Sequence, residues 1–99
     1  MFFMMVVITY DVSTIDRDGQ RRLRKISKIC QNYGQRVQHS VFECIVDSTE
    51  FATLKNQLLQ AINEEKDSIR FYQMGNQYRK KVEQVGAKET IFVEDPFIF

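Results

Sequence analysis

The sequence predicts an α+β fold in the order strand, helix, strand, strand, helix, strand. Three observations lead there. The chain starts on an uninterrupted apolar run, two later segments repeat apolar residues at three-to-four spacing, and short β-branched runs bounded by turn formers lie between and after them.

Residues 3 to 10 form the first predicted strand. The run "MFFMMVVI" is too short to span a bilayer and reaches Asp11 without a small-residue cleavage site, so it is a strand rather than an anchor or a signal peptide. "STIDRDG" breaks it with Ser, Asp and Gly. From Arg17 to Tyr33 a helical stripe of Leu23, Ile26, Ile29, Cys30 and Tyr33 faces inward, and Gly34 marks its stop. "QRVQHSVFECIV", residues 35 to 46, is extended, with a tight turn at "QHS" separating two strands. "DSTEF" opens a second helix capped by Ser48 or Thr49, its inner face formed by Phe51, Leu54, Leu58 and Ile62. "DSIRFYQMG" is a strand ended by Gly75, "QYRKKVEQVG" a short helix ended by Gly86, and "TIFVE" a last strand before Pro96. This is the split-βαβ or ferredoxin-like plan with one additional C-terminal strand. A single domain over residues 1–99 is expected, with its core in about 3–75 and residues 76–95 reaching a partner subunit.

At 99 residues, 43% hydrophobic and 27% charged, the composition is that of one globular domain. Cys30 and Cys44 have neither CxxC spacing nor a histidine cluster, and read as two reduced core thiols of a cytosolic protein. The net charge of +1 conceals an asymmetry. Residues 1 to 40 hold Arg17, Arg21, Arg22, Arg24, Lys25, Lys28 and Arg36 against Asp11, Asp16 and Asp18, and the remainder is acidic. The basic half suits nucleic acid and the acidic half a basic protein patch.

Both faces of the strands are apolar. Met4, Val6 and Ile8 lie on one parity and Phe3, Met5 and Val7 on the other; Val41 and Ile45 alternate with Phe42, Cys44 and Val46. Two helices cover only one face, so the open face is expected to meet a second copy about a two-fold axis. "TIFVE" could then extend a sheet, the partner's included, and protect its edge.

Counting by twos from Val7 through Thr9 puts Asp11 on one definite face at the strand's end. Two-fold pairing through that face would bring two Asp11 carboxylates together, where a shared proton or a divalent cation relieves their repulsion. Mg²⁺ suits such a site, since it takes oxygen ligands, few of them from protein. Arg21, Arg22, Arg24 and Lys25 would hold phosphates. Each feature has a plainer reading beside this one: Asp11 as a turn or cap residue, "RRLRKISK" as a solvated helix face, His39 as a hairpin residue, Tyr10 and Phe42 as core. Besides Asp11, only Asp16 and Asp18 are acidic in its neighbourhood of the chain, which argues against a monomeric two-metal nuclease. There is no sign of a Ser/His/Asp triad, a zinc site or a phosphate-cradling glycine loop. A module of the RNA-recognition type on the same strand order is disfavoured, because the central strand lacks the aromatic pattern.

"VVITYDVST", followed by "RRLRKISKICQNYGQRVQHSVFE" and "DSIRFYQMG", resembles the CRISPR-associated protein 2 family, most closely its subtype I-C members, over about residues 4 to 86. The resemblance implies a small ferredoxin-like homodimer in the prokaryotic cytoplasm, whose C-terminal strand crosses to the other subunit. It implies a place in the CRISPR adaptation complex between dimers of the spacer integrase, and a Mg²⁺-dependent endonuclease activity on single-stranded RNA or double-stranded DNA. Asp11 matches the family's metal ligand, Tyr10 would flank the metal, and Arg36 and Phe42 fall at positions tied to nuclease activity. The family's helix arginines correspond to Arg22 and Arg24. The tail "ETIFVEDPFIF" matches no family motif, and its acidic, aromatic character would suit docking onto the integrase. The competing class is a non-catalytic DNA-binding scaffold that bridges integrase dimers.

Overall fold

The computed structural model describes residues 2–86. Its elements are β1 (Met4–Asp11), α1 (Arg17–Gln31), β2 (Gly34–Gln38), β3 (Val41–Val46), α2 (Ser48–Ala61) and β4 (Ser68–Gly75), followed by one 3-10 turn at Tyr78–Lys80. The strands form one antiparallel sheet in the order β2-β3-β1-β4. This is the ferredoxin-like plan.

Local chemistry sets the boundaries. Asp16 caps α1 by accepting from the Gly19 N–H at 2.8 Å. The helix stops at Gln31, two residues before the expected Tyr33, and its cap is Asn32. Gly34 is therefore no helix stop but the first residue of β2. A Cβ there would lie 2.3 Å from the Glu43 carbonyl oxygen and 2.6 Å from the Cys44 sulfur, so only glycine lets β2 approach β3. The expected turn at "QHS" is the His39–Ser40 hairpin. At α2 the cap is Asp47 rather than Ser48 or Thr49. Glu50 stands three residues after Asp47, and the two make a reciprocal capping box with bonds of 2.8 and 3.0 Å.

The expected helix over 77–86 is reduced to the 3-10 turn. Gln77 makes no capping bond, Tyr78 is the turn's buried residue and Val85 is exposed, so a longer helix would have no apolar face to bury. The strand "TIFVE" and the tail beyond it lie outside the described residues.

The core lies between the helices and one face of the sheet. Val6, Ile8 and Tyr10 of β1 and Phe42, Cys44 and Val46 of β3 pack with Ile26, Cys30, Leu54 and Leu58. Each large side chain fully buried there contributes about 1.5–3 kcal/mol, so this face carries the stability of the fold. Both cysteines are free and buried, and burial pushes each thiol up to about 12.

The other face is set by the registers Val7↔Glu43, Thr9↔Val41 and Met5↔Ile45 between β1 and β3, and Val7↔Tyr72, Thr9↔Arg70 and Asp11↔Ser68 between β1 and β4. Among the described residues no helix packs on it. Met5 at one end of it is fully buried, whereas Val7, Val41 and Ile45 are half-buried and Tyr72 is 44% exposed, as the apolar double parity of the sequence led us to expect.

Candidate nucleic-acid interface and metal site

Asp11 ends β1 on the open face, exposed, with Ser68 directly opposite it on β4. One row further along β4 stands Arg70, opposite Thr9 and diagonal to Asp11, a separation of roughly 7–8 Å in a sheet. The Arg70 guanidinium donates to the Tyr72 hydroxyl at 3.0 Å, which fixes it on this face. Sequence reasoning passed over Arg70; alternation counted along "DSIRFYQMG" against β1 would have found it. Among the described residues no three acids, histidines or cysteines gather into a metal-holding group, so within them Asp11 belongs to no carboxylate cluster.

A second acid does lie close by in the fold, and the local sequence could not reveal it. Asp67 immediately precedes Ser68, the register partner of Asp11, yet its side chain is fully buried and turned to other work. It accepts from the Ser13 N–H at 3.1 Å, the Asn63 N–H at 2.9 Å, and Arg22 through Nε at 2.7 Å and NH2 at 3.2 Å. The Arg22 hydrogen bond, with the backbone donors behind it, holds its carboxyl below the usual aspartate range. These bonds tie the end of β1, helix α1, the end of α2 and the start of β4 to one carboxylate.

This corrects one expectation. Arg22 was placed with Arg21, Arg24 and Lys25 as a phosphate-holding cation, but its guanidinium is 16% exposed and committed to Asp67. Arg21, Arg24 and Lys25 are exposed on α1. Arg21 approaches Asp18 at 3.9 Å with both side chains largely in solvent, a contact worth little that leaves it available. Arg17, Arg21, Arg24 and Lys28 follow i, i+4, i+7 and i+11 spacing, one basic stripe along the helix with Lys25 beside it.

The expected catalytic set does not assemble around Asp11. Tyr10, Arg36 and Phe42 all lie on the helix-covered face, opposite to Asp11. Phe42 is fully buried, Tyr10 is 6% exposed, and their rings stack at 6.3 Å. Arg36 pairs with Phe42 in register, sits over its ring at 5.3 Å, and donates to the Ser27 hydroxyl of α1. The alternation rule separates consecutive residues: if Asp11 faces outward, Tyr10 must face the helices. Within one chain, then, Tyr10 cannot flank a metal held by Asp11.

Near the middle of the open face lies Glu43, flanked in register by Val7 and Gln35. Its Oε1 is buried without a hydrogen-bond partner among the described residues, and burial raises its pKa.

The family model for CRISPR associated protein Cas2 matches residues 4–82. A CRISPR-associated endonuclease Cas2 of Halalkalibacterium halodurans is 62% identical over 96 residues, covering 97% of this chain and 100% of the relative. A CRISPR-associated endoribonuclease Cas2 of Nitratidesulfovibrio vulgaris is 57% identical over 95 residues, covering 96% of this chain and 93% of the relative. Among solved structures, Streptococcus pyogenes Cas2 at pH 6.5 superposes with a TM-score of 0.74 and 52% identity, over 84% of this chain and 100% of that one.

Proposed function

The chain belongs to the CRISPR-associated Cas2 family, and on that premise we propose that it is a Mg²⁺-dependent endonuclease of CRISPR adaptation, acting as a homodimer on phosphodiester bonds of RNA or DNA. The observation that carries the reading is the place of Asp11, an exposed carboxylate at the end of a central strand, on the sheet face that no described helix covers. Two-fold pairing through that apolar face would supply, from the second copy, a carboxylate that the described residues do not place beside Asp11.

The residues fit Mg²⁺ on those terms, because the ion accepts one or two carboxylates and keeps its waters. When bound, it supplies an oriented water and stabilises charge on the phosphodiester under attack. The chain's own groups do the rest. The two Asp11 carboxylates hold the ion, Arg70 steadies the scissile phosphate from the same face, and Arg21, Arg24 and Lys25 hold the flanking strand. Arg36 acts from the opposite face, on nucleic acid rather than on metal, with the buried Phe42 ring beneath it and Tyr10 stacked on that ring.

The endoribonuclease name of one relative supports RNA as a substrate class, and the endonuclease name of the other supports phosphodiester cleavage without choosing the nucleic acid. The resemblance over about residues 4 to 86 supports placement within subtype I-C, a spacer integrase as partner and a cytoplasmic site of action.

Asp11→Asn keeps the size of the side chain and removes the charge. Purified Asp11→Asn is expected to fold, dimerise and bind DNA as the wild type does while losing Mg²⁺-dependent cleavage. Cleavage at the wild-type rate would overturn the enzymatic reading. The absence of a metal-holding cluster among the described residues favours a second reading, a DNA-binding scaffold between integrase dimers. On that reading Arg24→Ala with Lys25→Ala weakens DNA binding and lowers the salt slope by about one unit per lost phosphate contact, whereas Asp11→Asn leaves spacer integration intact.

A further inference from the structure

Between α1 and the β2–β3 hairpin, on the helix side of the sheet, lies a cavity of about 450 Å³. That volume falls within the range of small-ligand sites, roughly 300–1,000 Å³. Its charge is one-sided. Arg24 and Lys28 enter from α1 and Arg36 from β2, with His39 at the hairpin turn, and no carboxylate lines it. Among the described residues neither Arg24, Lys28 nor Arg36 forms an ion pair.

The site is also braced. Arg36 is held from one side by the Ser27 hydroxyl and from another by the Phe42 ring, so its remaining N–H groups are presented with little conformational freedom to lose. Tyr10 is fixed by its stacking on Phe42 and by its hydroxyl, 3.5 Å from the His39 carbonyl oxygen. Together with Leu23 it gives the cavity an apolar wall beside its cations.

We propose that this cavity binds a nucleotide carrying a terminal phosphate monoester, either free or at the end of a strand. Three cations that line one open concavity match a compact group carrying about −1.5 to −2 charges better than a diester with one. A continuous backbone, by contrast, is matched by the basic stripe of α1, which runs into the cavity through Arg24 and Lys28. The apolar wall takes the sugar or the face of the base. The site lies on the opposite face from Asp11 and needs no metal.

The test is a titration of the full chain in EDTA, which silences any Mg²⁺-dependent step and so separates this proposal from the nuclease reading. The probes are 5′-AMP, 3′-AMP, adenosine and inorganic phosphate, then a short single strand with and without a terminal phosphate. AMP is expected to bind at least about tenfold more tightly than adenosine or inorganic phosphate. Arg36→Gln and Lys28→Gln should each weaken it by about tenfold, the effect of one charge-assisted hydrogen bond. Lys28 is an exposed helix residue, so its replacement tests the site even if Arg36→Gln disturbs the hairpin. A tenfold gain from the terminal phosphate on the strand assigns the site to strand ends; AMP binding without that gain assigns it to free nucleotides. Equal binding of AMP and adenosine, or a Lys28→Gln protein that binds AMP as the wild type does, overturns the proposal.

Discussion

The two faces of the sheet use similar side chains to different ends. On the helix side the apolar residues are closed in, and the buried acid Asp67 has every oxygen engaged by donors from three directions. On the open side Val7, Val41 and Ile45 are half-covered, and Glu43 holds a buried oxygen with no partner among the described residues. An unpaired buried carboxylate raises the free energy of whatever conformation holds it. The contrast teaches that the described residues close the helix face and leave most of the open face uncovered, and the candidate metal ligand belongs to the second.

The strongest way to break that contrast is to truncate one large side chain on each face. Phe42→Ala should cost about 3–5 kcal/mol in urea denaturation, because the helices cannot collapse into the space it leaves. Ile45→Ala on the open face should cost well under half as much when measured on dilute protein. Equal costs would mean that both faces are finished in the monomer. Next in size is Asp67→Ala, which strands Arg22 and two backbone N–H groups. A fall in Tm on the order of 10 °C is expected from the lost hydrogen bonds, with no effect specific to nucleic acid. A third substitution sharpens the contrast from the other side. Tyr72→Glu adds a carboxylate to the row that holds Val7 and Glu43, and should shift light-scattering mass from dimer to monomer while the Tm of the monomer moves by only a few degrees. A variant that stays dimeric would show that association uses another surface.

The smallest effect is a matter of pH, and the two acids pull in opposite directions. The folded state holds the Glu43 proton more tightly than the unfolded chain does. Its favourable contribution is present at low pH and is lost as pH rises from the ordinary glutamate value of 4.5 through the raised one. For Asp67 the folded value lies below 3.8, so its contribution is present above that ordinary value and is lost as pH falls through the lowered one. Glu43→Gln should therefore flatten the decline on the upper side of the stability profile, read by thermal denaturation between pH 4 and 8, and leave the acid limb unchanged.

Most of the fold was legible because it rests on local signals. Apolar spacing gave both helices, turn formers gave the hairpin, and the doubled parity of "MMVVI" gave the uncovered face. The misses have two causes, a local signal overlooked and contacts that lie across the fold. Ser48 and Thr49 lost the cap to Asp47 because Glu50 completes a box only at that spacing. Arg22 resembles its basic neighbours in sequence, and only Asp67, forty-five residues later, distinguishes it. At the site, Asp11 could be placed on its face by counting. The same count, carried one residue back, puts Tyr10 on the other side, where Arg36 and Phe42 wait beside it. A shared family motif concealed that division, because residues that neighbour one another along a strand do not neighbour one another in space.

The thiols of Cys30 and Cys44 carry a practical consequence. With both pushed up to about 12, almost none of either is thiolate near neutrality, and alkylating reagents will find little to attack. The chain is thus a silent background for labelling. One cysteine introduced at an exposed position such as Ser68, opposite Asp11, could carry a spin probe and serve as a ruler between two copies in solution.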